Sequence, residues 1–265
     1  MSLSNLRKFN RNKGLVKTTP SVKHDSGRIG VMLAVPTLSG NVNWSIAHQF
    51  CMAGMYNGDA SCPYFFQTVL QTGTTPVEYA RNCIVEQFLE KSQCSWLYMW
   101  DADQVVPDNW PALLTLKDTG VKILSATTFV WVGNKQIPWR LRLNQYSLDD
   151  KGQCFNIGPA SKDQPYYVPI VGTACMAIHR DVFDKLGKHP FRMTHQENQK
   201  IKAGEDVNFC VDAQKAGFQI LVHPGVIFDH VKPLPLMQVG ETISGAVHAK
   251  ISNLQPTIEQ MLSVG

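Results

Sequence analysis

The stretch Trp96-Leu97-Tyr98-Met99-Trp100-Asp101-Ala102-Asp103 joins an unbroken apolar run to two aspartates that are separated by one alanine. A short apolar run of this kind predicts a strand that is buried on both faces of a parallel sheet. In open α/β sheets, ligands bind beyond the carboxyl ends of the strands, which is where Asp101 and Asp103 would lie. On an extended backbone the two side chains leave on the same side, and their like charges favour a cation between them. We therefore expect a divalent metal that binds a phosphate-bearing ligand; the alternative is a pair of acids in a solvated loop.

The composition of the 265-residue chain, with 44% hydrophobic and 17% charged residues, is typical of a folded protein with a substantial core. The formal net charge of +4 allows an anionic partner without requiring one. The 7 cysteines include no Cys-x-x-Cys pair, which argues against a disulfide framework or a zinc ribbon, so we expect reduced thiols. No apolar stretch is long enough to cross a membrane, and the N-terminus lacks the apolar core of a signal peptide. We expect a soluble, cytoplasmic protein that has no membrane partner.

Strands and helices alternate along the first half of the chain, which predicts an α/β fold with a mostly parallel central sheet flanked by helices. The predicted elements are strand 29–35, helix 43–56, strand 65–70, helix 76–91, strand 96–100, helix 109–117 and strand 121–127. Pro36 is expected to end the first strand, because proline cannot donate to a strand ladder. Thr75 and Glu78 predict a capping box around Pro76 as the first helical residue, and Asp108 is the predicted cap of the third helix. Residues 29–232 are interpreted as one domain, between a basic arm (1–28) and a C-terminal extension (233–265).

Arg81 falls inside the apolar arc of the predicted helix 76–91, at about 100° per residue. A guanidinium on an apolar face needs an anion, because an unpaired buried charge is very costly. The anion is either an internal carboxylate or a ligand phosphate, and the helix pattern does not choose between them.

The second half of the chain places further polar groups beside predicted strands and helices. Residues 166–179 predict one long apolar strand, in which Gly172 allows a close approach to the backbone. Gly204-Glu205-Asp206 opens a predicted helix, although two acids in a first turn are also ordinary helix-dipole chemistry. His230 ends another apolar run. Residues 130–165 combine tryptophan and arginine with glycine and proline, which suits a recognition loop, although the same side chains could equally pack into a lid.

Taken together, residues 29–232 resemble the GT-A class of nucleotide-sugar-dependent glycosyltransferases, closest to its family 2-like and small soluble viral members. The stretches that carry the resemblance are Ala80-Arg81-Asn82, Asp101-Ala102-Asp103, Val171 to Met176 with Arg180 to Phe183, and Gly204-Glu205-Asp206 with His230. The second resembles the DxD motif of these enzymes. The last resembles their ED helix and a distal metal-binding histidine.

The resemblance implies a role for each matching residue. The implied nucleotide-sugar-binding residues are Pro36, Thr37, Arg81, Asp101, Asp103 and Gly172, with a UDP-sugar as the expected donor. The implied ligands of Mn²⁺ or Mg²⁺ are Asp103, Asp101 and His230. Asp206, with Glu205, would be the acceptor-side catalytic base, which implies inversion at the anomeric carbon; retention stays open if Asp206 only positions the acceptor. A hard cation would offset the charge of the leaving diphosphate, and a carboxylate would take the acceptor proton.

Several alternatives stay open at this point. The acceptor could be a saccharide, a protein or a hydroxymethylated base in viral DNA, and the lysines and arginines of residues 135–142 are compatible with DNA. A nucleotidyltransferase would also use carboxylates on a metal, but the turn after the first strand holds one glycine where those enzymes usually carry a glycine-rich loop. A non-catalytic sugar-binding module with the same fold is the third alternative.

Overall fold

The computed structural model describes residues 27–132, 140–195 and 201–231, so the predicted C-terminal extension and all but the end of the predicted basic arm lie outside it. The strands are β1 (Ile29–Thr37), β2 (Tyr64–Thr72), β3 (Trp96–Trp100), β4 (Gln104–Val105), β5 (Ile123–Val132), β6 (Arg140–Leu143), β7 (Gln145–Leu148), β8 (Cys154–Asn156), β9 (Tyr166–Val168), β10 (Ile170–Val171), β11 (Cys175–His179), β12 (Thr194–His195), β13 (Ile201–Ala203) and β14 (Ile220–His230). The helices are α1 (Trp44–Gly58), α2 (Val77–Lys91), a 3-10 helix (Trp110–Thr119), α3 (Arg180–Leu186) and α4 (Glu205–Lys215). In this described part of the chain, no helix combines the length and the hydropathy needed to cross a bilayer.

The central sheet has the strand order β2-β1-β3-β11-β5-β14-β4. β1 pairs in parallel with β2 and β3, and β14 pairs in parallel with β5. β11 runs antiparallel between β3 and β5. The predicted α/β class is confirmed, and the sheet is a mixed one, because β11 and β4 run antiparallel to their neighbours.

The two faces of the sheet are covered by different helices. Alternate residues of β3 enter two hydrophobic clusters: Leu97 and Met99 pack on the side of α2 and α4, whereas Trp96, Tyr98 and Trp100 pack on the side of α1 and the 3-10 helix. All five residues are buried. The predicted burial of this strand on both faces is therefore confirmed, and it places the acids that follow at the edge of a rigid layer.

Three predictions about the ends of elements in the first half are wrong. Pro36 does not end β1, which continues to Thr37; beyond Ala34 β3 no longer pairs with β1, so only one edge of the strand still needs hydrogen bonds. Thr75 does not cap α2, because Pro76 occupies the N-cap position in an extended conformation and its carbonyl accepts from the Tyr79 and Ala80 amides. Likewise, Asp108 does not cap the following helix; its Oδ1 accepts a hydrogen bond from Gln49 Nε2 at 2.8 Å. The predicted ends at Lys91 and Gly120 agree with the structure.

The second half departs further from its predicted elements. Residues 166–179 form three strands in different ladders, because Pro169 offers no donor and residues 172–174 leave the sheet. Within the predicted recognition loop, residues 140–156 contain β6, β7 and β8, while residues 133–139 lie outside the described part of the chain. The two runs predicted around residues 218–230 are one strand, β14, with an irregular register between His223 and Ile227.

Arg180 closes the C-terminal end of α2 from the neighbouring helix α3. Its guanidinium donates to the carbonyl oxygens of Phe88, Leu89, Ser92 and Cys94 at 2.7–3.3 Å. It also lies over the Phe88 ring, 4.3 Å from the centroid. The last turn of a helix leaves carbonyls without backbone partners, so this arginine satisfies groups that would otherwise need water.

β2 is an outer strand of the described sheet, and the end of α1 reaches part of its edge. The side chain of Asn57, near the end of α1, accepts from the Phe66 amide at 2.7 Å and donates to the Phe66 carbonyl at 2.8 Å. The amide side chain thus replaces a neighbouring strand at this position of β2.

Candidate functional site

A cavity of about 510 Å³ opens beyond the carboxyl ends of β1 and β3. The predicted site residues that line it are Pro36, Thr37, Arg81, Asp101, Asp103, Glu205 and His230. Further lining residues are Leu38, Ser39, Asn41, Val77 and Ala102. Leu38, Ser39 and Asn41 belong to the turn after the first strand, and Val77 lies one helical turn before Arg81. The predicted residues Asp206 and Gly172 lie outside this lining.

Arg81 is buried, with 3% of its side chain exposed, and it is paired with carboxylates of the protein itself. Its Nη2 donates to Asp101 Oδ1 at 2.6 Å, and its Nη1 donates to Glu205 Oε1 at 2.7 Å. Of the two partners that the sequence left open, the structure supplies the internal carboxylates. The guanidinium links the end of β3 to the first turn of α4.

The two aspartates after β3 lie on a turn, not on the extended backbone that the sequence predicted. The Asp101 amide donates to the Ala174 carbonyl, and the Asp101 carbonyl accepts from the Gln104 amide. Both side chains border the cavity, but their neighbours differ: Asp101 faces Arg81, and Asp103 faces His230.

His230 reaches Asp103 because of the register between β14 and β4. His230 is opposite Gln104 in that antiparallel pair, and the Val231 amide donates to the Asp103 carbonyl at 2.9 Å. The imidazole Nε2 consequently lies 2.9 Å from Asp103 Oδ2. Two residues that are far apart in the sequence thus meet at one corner of the cavity.

Asp103 and His230 carry side chains of types that can ligate a divalent metal. His230 Nε2 is buried and has no partner in hydrogen-bonding geometry, although Asp103 Oδ2 is close. Neighbouring ligands of an octahedral ion at about 2.1 Å are about 3 Å apart, so the 2.9 Å separation suits a shared ion. Among the described residues, no group of three or more His, Cys, Asp or Glu side chains is arranged to hold an ion. The pair would therefore supply only part of a coordination shell, as is common for Mg²⁺, which keeps waters and binds substrate phosphates.

The charges of the cavity also favour a divalent cation. Three carboxylates (Asp101, Asp103 and Glu205) and the single guanidinium of Arg81 line its described surface. When ionised, these carboxylates outnumber the positive charge by two. A nucleoside diphosphate entering alone would meet like charge, whereas a divalent cation offsets that excess.

The two acids that open α4 face different surroundings. Glu205 borders the cavity, and burial raises the pKa of its carboxyl, an effect that Arg81 opposes. Burial also raises the pKa of Asp206, opposed by the Val207 amide, which donates to Asp206 Oδ1 at 2.8 Å. The negative charge of Asp206 in turn contributes to the raised pKa of Tyr146, after the larger effect of burial. The charges of Arg81 and Asp101 also act on the pKa of Asp206, so this carboxyl lies beside the cavity, outside its lining.

Gly172 allows the close approach that the sequence predicted, and the approaching group is Asn144. A Cβ atom at Gly172 would lie 1.9 Å from Asn144 Nδ2, and the Gly172 amide donates to the Asn144 carbonyl at 3.1 Å. The implied contact of Gly172 with the nucleotide sugar stays a prediction.

No family model and no curated protein matches this sequence. Among solved structures, the chain is similar to A197 from STIV, with 14% identity and a TM-score of 0.51 over 77% of this chain and 87% of that chain. It is also similar to GalNAc-T7, crystallised with UDP, GalNAc and Mn²⁺, with 15% identity and a TM-score of 0.47 over 78% of this chain. The aligned region spans 43% of the GalNAc-T7 chain. At this level of identity, the likeness to A197 shows a shared fold.

Proposed function

We propose that this protein is a metal-dependent glycosyltransferase that moves a sugar from a nucleotide diphosphate sugar to a hydroxyl acceptor, with UDP-sugars as the first donors to test. The observation that carries the proposal is the Asp103–His230 pair, which lies at the spacing of metal ligands in a cavity rich in carboxylates. An anionic diphosphate needs a cation in such a cavity, and these two side chains offer one a place.

On the donor side, the loop after β1 and the first turn of α2 provide the walls. Thr37 Oγ1 donates to the Asn41 carbonyl at 2.9 Å, which fixes the loop that borders the cavity. Leu38 and Val77 present exposed apolar surface there, suited to the flat face of a nucleobase. Asp103 and His230 would hold Mn²⁺ or Mg²⁺, which supplies charge neutralisation for the departing diphosphate.

On the acceptor side, Asp206 is our candidate base. Its raised pKa makes its carboxylate a stronger proton acceptor than an ordinary aspartate. The acceptor oxygen attacks the anomeric carbon, the bond from that carbon to the diphosphate oxygen breaks, and the hydroxyl proton moves to Asp206. A single displacement of this kind inverts the anomeric centre. A saccharide, a protein and hydroxymethylated DNA remain the acceptor classes to test.

The test is incubation of the protein with Mn²⁺ and a panel of nucleotide sugars, with and without each acceptor class, while released nucleoside diphosphate is measured. We expect release with at least one donor and its loss on chelation of the metal. Asp206→Asn should abolish transfer and leave donor binding near normal. Asp212→Asn, on the same helix but paired with Arg192 at the surface, is the matched control and should keep its activity.

The proposal fails if no donor gives release and none binds in a metal-dependent manner. Equal loss of transfer and donor binding in Asp206→Asn would refute the base role alone. A steep fall of activity with salt would identify the DNA acceptor, because neutralising phosphates releases counterions; saccharide and protein acceptors should show little such dependence.

A further inference from the structure

One guanidinium serves two carboxylates that come from distant parts of the chain. Arg81 is 20 residues from Asp101 and 124 residues from Glu205 in sequence, yet it donates to both. Its side chain is 3% exposed, against 28% for Asp101 and 13% for Glu205. Its Nε is also buried and has no hydrogen-bond partner. The two ion pairs thus hold the arginine inside the protein. Its guanidinium is already paired with internal carboxylates and is not an exposed group that could bind a ligand phosphate directly.

We propose that Arg81 is the resident counter-ion of Asp101 and Glu205, and that it keeps a divalent ion off Asp101 and confines it to Asp103 and His230. This inference rests on the proposed function, since it concerns the metal of that site. It changes the role of Asp101, which the DxD resemblance made a metal ligand, into that of a positioning residue.

The geometry at Asp101 disfavours a second cation there. Nη2 of Arg81 already occupies Oδ1 at 2.6 Å, so a metal on this carboxylate would lie within a few ångströms of a fixed positive charge. Repulsion at that distance is strong because the group is largely shielded from water. Asp103 lies beside an imidazole, which can ligate a metal as a neutral group, and 38% of the Asp103 side chain is exposed to solvent.

Removal of the guanidinium reverses this preference. Asp101 and Glu205 would then lie close together without their counter-ion. The negative charge of Asp206, which already contributes to the raised pKa of Glu205, lies near them. Two carboxylates left together attract a divalent cation. Lysine cannot substitute for the arginine, because a single ammonium lacks the planar fork that reaches two acids at once.

The first experiment measures Mn²⁺ binding by electron paramagnetic resonance, with Mn²⁺ alone and with Mn²⁺ plus UDP. We expect one ion per chain in the native protein. Asp101→Asn should leave the Mn²⁺ affinity within about threefold of native, whereas Asp103→Asn should weaken it about tenfold or more. An Asp101→Asn variant that loses affinity as strongly as Asp103→Asn overturns the inference and leaves the proposed function standing.

The second experiment uses Arg81→Met, with its fold checked by circular dichroism. We expect this variant to bind a second Mn²⁺, and Arg81→Met combined with Glu205→Gln to return to one. Arg192→Met is the matched control, because it removes one positive charge near α4 by breaking the surface pair with Asp212, and it should bind one ion. A folded Arg81→Met with a single ion contradicts the inference. A native protein that binds no Mn²⁺, even with UDP, contradicts the proposed function and this inference together.

Discussion

Replacing Arg180 by methionine tests how much one side chain contributes to the end of α2, the helix that carries Arg81. The substitution keeps a long apolar side chain against Phe88 and removes every guanidinium donor. It leaves the Phe88, Leu89, Ser92 and Cys94 carbonyls without that donor, while the backbone bond from the Arg180 amide to the Ser95 carbonyl remains.

The magnitude follows from the number of hydrogen bonds that can form at once. Nη2 approaches three carbonyls but has two hydrogens, and Nε and Nη1 donate once each, so we count about four effective hydrogen bonds for the whole guanidinium. Water can reach part of this partly buried site, so each lost bond is taken at the lower end, about 1 kcal/mol. The cation–π contact with Phe88 adds about 0.5 kcal/mol. We expect the free energy of unfolding to fall by about 4–5 kcal/mol, which corresponds to a drop in Tm of roughly 8–20 °C.

The assay is urea unfolding followed by circular dichroism, with thermal unfolding as the second measurement. Arg192→Met provides the control, because that arginine makes a single ion pair and is half exposed, so a loss of about 0.5 kcal/mol is expected. If the two variants lose the same small amount, the carbonyls at the end of α2 find water without cost, and the reasoning about Arg180 is refuted.

Other predictions concern the site. His230→Ala should weaken Mn²⁺-dependent donor binding about tenfold or more, measured by calorimetry, and unchanged binding would remove His230 from the metal site. The raised pKa of Asp206 means that the folded protein favours the neutral acid at this position. The stability that Asp206 contributes is therefore present below pH 3.8, the ordinary pKa of aspartate, and is lost as the pH rises through the raised pKa of the folded protein. Asp206→Asn should flatten that part of a pH series of urea unfolding curves; an unaltered slope would contradict the shift. Gly172→Ala should cost about 1–3 kcal/mol of stability because of the clash with Asn144, and the added change Asn144→Gly should recover most of it.

The fold was predictable where one local pattern allowed one structure. The five apolar side chains of β3 can leave water only if both faces of the strand are buried. Gly120 ends its helix at a φ of 80°, a conformation that glycine adopts without steric cost. The segment 166–179 was not predictable in the same way. Its apolar content suits one long strand as well as three short ones, and the choice depends on which ladders are available at Pro169 and Gly172, which is a property of the whole sheet.

The same distinction between local pattern and tertiary packing applies to the residues of the site. Periodicity alone placed Arg81 on the buried face of its helix, because helical geometry is local. Its partner Glu205 is 124 residues away, so the pairing depends on tertiary packing that no local pattern encodes. The proximity of Asp103 and His230 likewise depends on the register between β4 and β14. Sequence reasoning found these residues, and only the assembled sheet determines which of them touch.

The contact between Asn57 and Phe66 has a consequence for how copies of this protein meet. An outer strand with free amides and carbonyls is a template on which another chain can add a strand. At Phe66 both groups are already occupied by one side chain, so an incoming strand would have to displace it before it could form a continuous ladder. Asn57 thus acts as a terminator of sheet growth, and its loss would expose β2 to strand-mediated self-association.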